Sequence, residues 1–467
     1  MSRLPISCPL LTITAALTLA CGDDGNTSAS AASTSQGPGT VTLTNGTTPT
    51  TGGSQTDSSG APTGSGSQSG TGDSTTMAVD STGSSSGGGP KFDLGVTPDA
   101  GQGGCGDGDG DGKPKFSYIW ISKSPEGTVS KVNTFTGVEE GRYRAGPGVP
   151  DPSRTSVNLL GDAAVVDRNG GIMKVAAETK NCVDLNANGM IDTSSGPGNV
   201  LAWGSDECVL WHKPLPSNSN RGPRPVAWEG FYDPKTCTGT SDRVWVGHFD
   251  QSLDIGHFYR LDGKTGATLD MVDVSPWSGQ SFGPYGGAVN KDGDFWVLGW
   301  NTGPLIRIDA ETLQVDQWPT PPGAFVYGFG LDKNGDPWAA GSSQYHHFNV
   351  QTQTWQTFTS GSSMRGLQAD IAGNIWIAED FPCGVHQVDA ATGNHLNLFQ
   401  IPGCSQPVGI SIDVEGFVWV VDQGANAAFK VDPVGPSLAL TVGGLVGPYT
   451  YSDMTGAGLN LVVNPPG

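Results

Sequence analysis

Charged side chains are scarce in this sequence, at 15% of 467 residues, and basic ones are scarcer still: 24 Lys and Arg face 45 Asp and Glu. A formal charge of −21 repels phosphate, which excludes nucleic acid and anionic membrane surfaces as partners. The composition also lacks what a helix-rich enzyme needs. Gly 71 and Pro 33 favour many short strands joined by turns. The chain has no phosphate-cradling glycine loop, no His-Glu-x-x-His zinc helix, no nucleophile motif and no Cys-x-x-Cys pair, so it carries no positive signature of catalysis.

Long apolar runs are missing as well. Residues 1–21, MSRLPISCPLLTITAALTLAC, hold one Arg and an apolar stretch too short to span a bilayer comfortably, which reads as a cleaved export signal. Thr18-Leu19-Ala20-Cys21 resembles a bacterial lipobox, in which Cys21 would be acylated; ordinary cleavage after Ala20 is the alternative. The expected location is the cell envelope, as an outer-membrane lipoprotein or at the cell surface, or else periplasmic or secreted. Contact with membrane would run through the lipid anchor alone.

Residues 22–114 are expected to form a disordered linker. From Gly22 to Pro90 there is no Lys, Arg or aromatic residue, only a near-monotony of Ser, Thr and Gly. Such a stretch buries too little apolar surface to offset the entropy of ordering it. About seventy residues of this kind would hold a folded domain some 45 Å from its anchor on average. The composition reads as a bare linker, with glycosylation of its Ser and Thr as the alternative.

What is present is a repeat. Asn290-Lys-Asp-Gly-Asp-Phe-Trp296, Asp332-Lys-Asn-Gly-Asp-Pro-Trp338, Asp370-Ile-Ala-Gly-Asn-Ile-Trp376 and Asp413-Val-Glu-Gly-Phe-Val-Trp419 align, with a weaker copy ending at Met173. Each reads as a strand, a tight turn whose Gly takes positive φ, and a second strand with a buried Trp or Met anchor. Trp120 and Trp245 add two anchors without that turn. Second hairpins follow, as in Leu305-Ile-Arg-Ile-Asp309 and Ala428-Phe-Lys-Val-Asp432. The last four anchors are 42, 38 and 43 residues apart, the length of a four-stranded propeller blade. The expected fold is therefore all-β: over 115–467, a seven-bladed β-propeller of four-stranded blades. The first blade lacks an inner strand, and Tyr449-Thr-Tyr-Ser-Asp-Met454 would close the ring by supplying it.

Six cysteines remain beyond Cys8 and Cys21, and an even count in an exported chain favours disulfides. Cys182 with Cys208 and Cys383 with Cys404 each bracket a local excursion within one blade. Cys105 with Cys237 follows only by elimination.

The repeats resemble the streptogramin (virginiamycin B) lyase-like propellers, through Pro284-Tyr-Gly-Gly-Ala, Pro407-Val-Gly-Ile, the Gly-x-apolar-Trp anchors and Ile306-Arg-Ile-Asp309. That resemblance implies elimination chemistry by a His base, a Glu and Mg²⁺ on one face of the ring. Glu379, in Trp376-Ile-Ala-Glu, matches the family's pattern, and His248 is the other catalytic candidate. The family's His-Gly blade opening is replaced by Tyr-Gly, Tyr-Gly, Arg-Gly and Val-Gly. His346, His347 and His386, on third strands, are expected on the blade surface.

Loops after each second strand and before each first strand share one face of a propeller. They would gather Asp250, Trp300, Asp380 and Asp422 with Tyr285, Tyr327, Arg365 and Tyr449 into a binding face suited to a sugar, a peptide or a cation. The second blade is interrupted near 181–208 by a loop of the EF-hand calcium type. Asp184, Asn186, Asn188, the Met190 carbonyl and Asp192 fall at positions 1, 3, 5, 7 and 9, with Ser195 where position 12 usually has Glu. Calcium would be structural; an uncharged Asx-rich turn is the alternative. The run from Asp107 to Gly112 reads as the solvated end of the linker. The functional expectation is a tethered binding module for an unknown glycan, peptide or envelope protein. The rival is a carbon–oxygen lyase that opens a cyclic depsipeptide or cleaves a polysaccharide.

Overall fold

A computed structural model describes residues 117–217, 222–233, 238–277, 282–321 and 323–463. The linker, Cys21, Cys105 and Cys237 lie outside them. The described chain is an all-β propeller of antiparallel sheets. Its first sheet has three strands, Tyr118–Lys123, Thr128–Asn133 and Glu139–Arg144. Four sheets have four, beginning with Pro152–Val157, Val226–Trp228, Pro284–Val289 and Pro407–Ile412. A six-stranded sheet runs from Gly328–Leu331 to His395–Gln400. Six blade-like sheets thus stand where seven blades are expected, because two consecutive repeats share one hydrogen-bonded ladder through Thr354–Ala369. A small ribbon, Phe231–Asp233 with Thr238–Thr240, leaves the third sheet.

All seven anchors, Trp120, Met173, Trp245, Trp296, Trp338, Trp376 and Trp419, are buried. The repeat's first Asp explains part of its spacing. One oxygen of Asp332, Asp370 and Asp413 accepts the indole N–H of the Trp six positions later, at 3.2, 2.7 and 2.9 Å. The other oxygen takes backbone N–H groups of the turn. Asn290 spends its carbonyl on the turn and its amide on Asp294, which leaves the Trp296 indole without a hydrogen-bond partner.

The C-terminal segment closes the ring. The N–H of Trp120 donates to Met454 O at 2.9 Å and that of Tyr449 to Ser122 O at 2.8 Å, with an antiparallel bridge between Lys123 and Pro448. The pairing is an irregular extended segment and not the full strand expected, since Pro448 has no N–H to give. Past it comes helix α1 (Ala457–Val463), which the repeat pattern does not predict. Asp453 accepts the N–H of Gly456 and Leu459 at its start. Leu459, Leu461 and Val462 bury themselves in clusters with Trp228, Trp338 and Trp296 respectively, which come from three different sheets. The helix therefore plugs the ring by apolar burial. Among the described residues no helix is long and apolar enough to cross a membrane.

Candidate functional site

Four of the eight expected binding-face residues meet at the axis. Tyr285 packs 4.5 Å from Trp300 and 5.6 Å from Tyr327, ring centre to ring centre, and the Tyr327 hydroxyl donates to Tyr449 at 2.9 Å. Arg365 lies 5.6 Å from the Tyr327 ring and pairs with Asp380 at 2.9 Å, which adds two more. Where a rim open to ligand was expected, the tyrosines and Trp300 are buried, packed into one core cluster with Tyr451. Burial pushes the Tyr285, Tyr327 and Tyr451 phenols well above the ordinary range. They are therefore neutral donors and acceptors at physiological pH.

The other candidates stand apart. Asp250 is half-buried and accepts hydrogen bonds from its own turn, at Ser252 and Leu253. Asp422 is buried and caps backbone N–H groups of Ser405, Gln406 and Ala425, a structural duty. His248 stacks on His257 and Tyr259 of its own blade. Burial, with His257 beside it, pushes His248 down to about 4.

Glu379 is 0% exposed, accepts the Ser362 N–H through one oxygen, and meets His386 Nε2 at 2.6 Å through the other. His386 is itself 2% exposed, so it is not the blade-surface residue expected. His346 is likewise buried, and burial takes it down to about 4. His347 does turn toward the fifth repeat's turn: it stacks on Trp338 and bonds Asp336 at 3.2 Å, with Asp332 close by.

Phenylalanines adjoin Trp300 and Asp380. Phe325 packs edge-on to Trp300 at 5.3 Å and is 39% exposed; Phe381, next to Asp380, is 69% exposed. Phe282 packs against Trp300 as well. No repeat position marks these residues, and loop phenylalanines leave no periodic signal.

The disulfides Cys182–Cys208 and Cys383–Cys404 are both formed. The first staples the loop 184–192. There the Asp184 carboxylate accepts the N–H of Asn188 and Gly189, and Ala187 and Gly189 take positive φ. Asp192 accepts the side-chain amides of Asn186 and Asn188. Buried Glu207, which the spacing rule could not reach, accepts the N–H of Leu185, Asn186 and Asp192 from beneath.

No protein-family model matches the chain, and no curated protein matches it. Among solved structures it is similar to a protein of unknown function from Desulfotomaculum acetoxidans, at 9% identity and a TM-score of 0.50, over 73% of this chain and 98% of the other. A streptogramin B lyase follows at 14% identity and a TM-score of 0.48, over 72% and 92%. Virginiamycin B lyase from Staphylococcus aureus gives 13% and 0.43, over 62% and 83%. These likenesses concern fold alone.

Proposed function

We propose that the chain is a tethered cell-envelope β-propeller that binds a glycan, a peptide or an envelope protein. The carrying observation is two exposed phenylalanines: Phe325, packed edge-on to Trp300 of the tyrosine cluster, and Phe381, next in sequence to Asp380 of the Arg365–Asp380 ion pair. Exposed aromatic side chains next to an ordered Arg are what binding hot spots are made of. In this reading the ring has seven blades. Pro337–Asn349 pairs with Gly328–Leu331 through its first half and with residues 354–359 through its second, which supports a fold-back into two strands of a fifth blade. Export, acylation at Cys21 and the disordered linker complete the reading and place the module outside the cytoplasm.

Calcium belongs to the same proposal as a structural ion in the loop 184–192. The two N–H groups folded onto Asp184 and the convergence of Asn186, Asn188 and Asp192 support it. Turning over the two amides would present their oxygens to a hard cation.

The lyase remains a second reading because Glu379 and His386 form a carboxylate–histidine pair. Both oxygens of Glu379 are engaged, an arrangement suited to holding a histidine and not to Mg²⁺. The test is a screen of the full chain against glycans, peptides and cyclic depsipeptides, with mass-spectrometric detection of products. We expect a retained ligand without turnover, and Phe381→Ala with Phe325→Ala to weaken it at least about tenfold, roughly 1.4 kcal/mol. An opened depsipeptide would establish the rival.

A further inference from the structure

We propose that the propeller axis holds one small monoanion, of chloride or acetate size, on the guanidinium of Arg154. Arg154 belongs to the inner strand Pro152–Val157 and is 0% exposed. Its Nε and both Nη atoms are buried and have no hydrogen-bond partner. It lies 3.6 Å from the centre of the Tyr451 ring and 4.3 Å from that of Tyr285. Ring faces attract a cation but leave the in-plane N–H donors unused.

Two other guanidinium groups at the cluster have carboxylate partners. Arg168 pairs with Asp151, and Arg365 with Asp380. Among the described residues no carboxylate pairs with Arg154. Arg224, also buried, lies 5.2 Å from the same Tyr285 ring, so two guanidinium groups share one aromatic neighbour. Arg154 is a permanent cation that cannot escape its burial by losing a proton. Buried O–H groups of Ser153, Thr450 and Tyr451, next to Arg154 or on the segment it packs against, also lack partners. A buried cation needs a counter-charge or hydrogen-bond acceptors to be tolerated. A single negative charge with lone pairs meets both needs, and a planar carboxylate would meet the guanidinium edge with two bonds. The inference stands apart from the binding-module proposal, since an axial anion is compatible with any ligand on the face or with none.

The test uses the full chain, dialysed free of small anions. Thermal melts are run across about a hundredfold range of chloride, and separately of acetate, at ionic strength held constant with MOPS. An anion that binds the folded chain alone raises Tm with the logarithm of its concentration. We expect a rise of several degrees with the anion that fits, and none in Arg154→Met. A flat response in the parent, or an equal slope in R154M, overturns the proposal. Should R154M not fold, equilibrium dialysis of the parent with labelled chloride and labelled acetate decides: one anion retained per chain supports the site, and retention of neither overturns it.

Discussion

Asp413 shows how one side chain can set a repeat. It holds the turn, the Trp419 indole and, at 2.9 Å, the buried Lys430 ammonium. The spacing of Asp, Gly and Trp was legible because these three residues share one small hydrogen-bonded unit that recurs. Trp419→Ala should cost about 3–5 kcal/mol, by lost burial plus the cavity left behind. Denaturant unfolding would measure it, and a loss below about 1 kcal/mol would show that the anchor is not packed as described. Arg154, Arg224 and His386 were not legible, since a buried polar residue on a strand has the same sequence appearance as an exposed one. His248 and His346 give a pH prediction. Both have folded-state values near 4 against an ordinary 6.5, so the unfolded chain binds the extra protons between these limits. Stability therefore rises with pH across that window and is lost as pH falls from about 6.5 toward 4. His257, Asp250 and Asp273 face His248, the first opposing its protonation and the two carboxylates favouring it. Melts at pH 6.5 and 5 should show His346→Gln losing less stability than the parent; equal losses would contradict the assignment to His346.

At the scale of elements, hairpins and disulfides could be read ahead and the final helix could not. Each disulfide closes an excursion that starts and ends in one sheet, so chain proximity alone pointed to the partner. Ala-Gly-Leu-Asn-Leu-Val-Val carries a mid-helix Gly and a β-branched end, and tertiary burial of Leu459, Leu461 and Val462 overrides that weak propensity. The loop 184–192 was legible in its oxygen spacing, whereas Glu207 reaches it from 15 residues beyond Asp192. With two carboxylates and two amides on the loop, calcium affinity should fall in the weak extracellular range, about 10⁻⁴ to 10⁻³ M. At about 100 times its dissociation constant, calcium should add roughly 2.7 kcal/mol to stability. Melts with chelator and with excess calcium should differ in the parent and coincide in Asp184→Ala. The same shift in both would reduce the loop to an Asx-rich turn.

For the whole molecule, seven anchors and the spacing of the last four were enough to foresee a closed ring, but not how its middle is filled. The segment 448–454 makes the edge hydrogen bonds on Tyr118–Lys123, Tyr449 and Tyr451 complete the axial cluster, and helix α1 packs on three further sheets. One stretch of chain thus joins closure, core and candidate face. This arrangement concentrates the stability of the ring in its last residues, because an opened propeller exposes strand edges and a buried interface together. The most direct measurement is the melting of the chain after deletion of Tyr449 to Gly467, beside a control that loses the same number of residues from the linker. The account predicts that the control keeps the parental Tm while the C-terminal deletion aggregates or melts well below it. A C-terminal deletion that unfolds cooperatively at the parental temperature would contradict a ring closed by this segment.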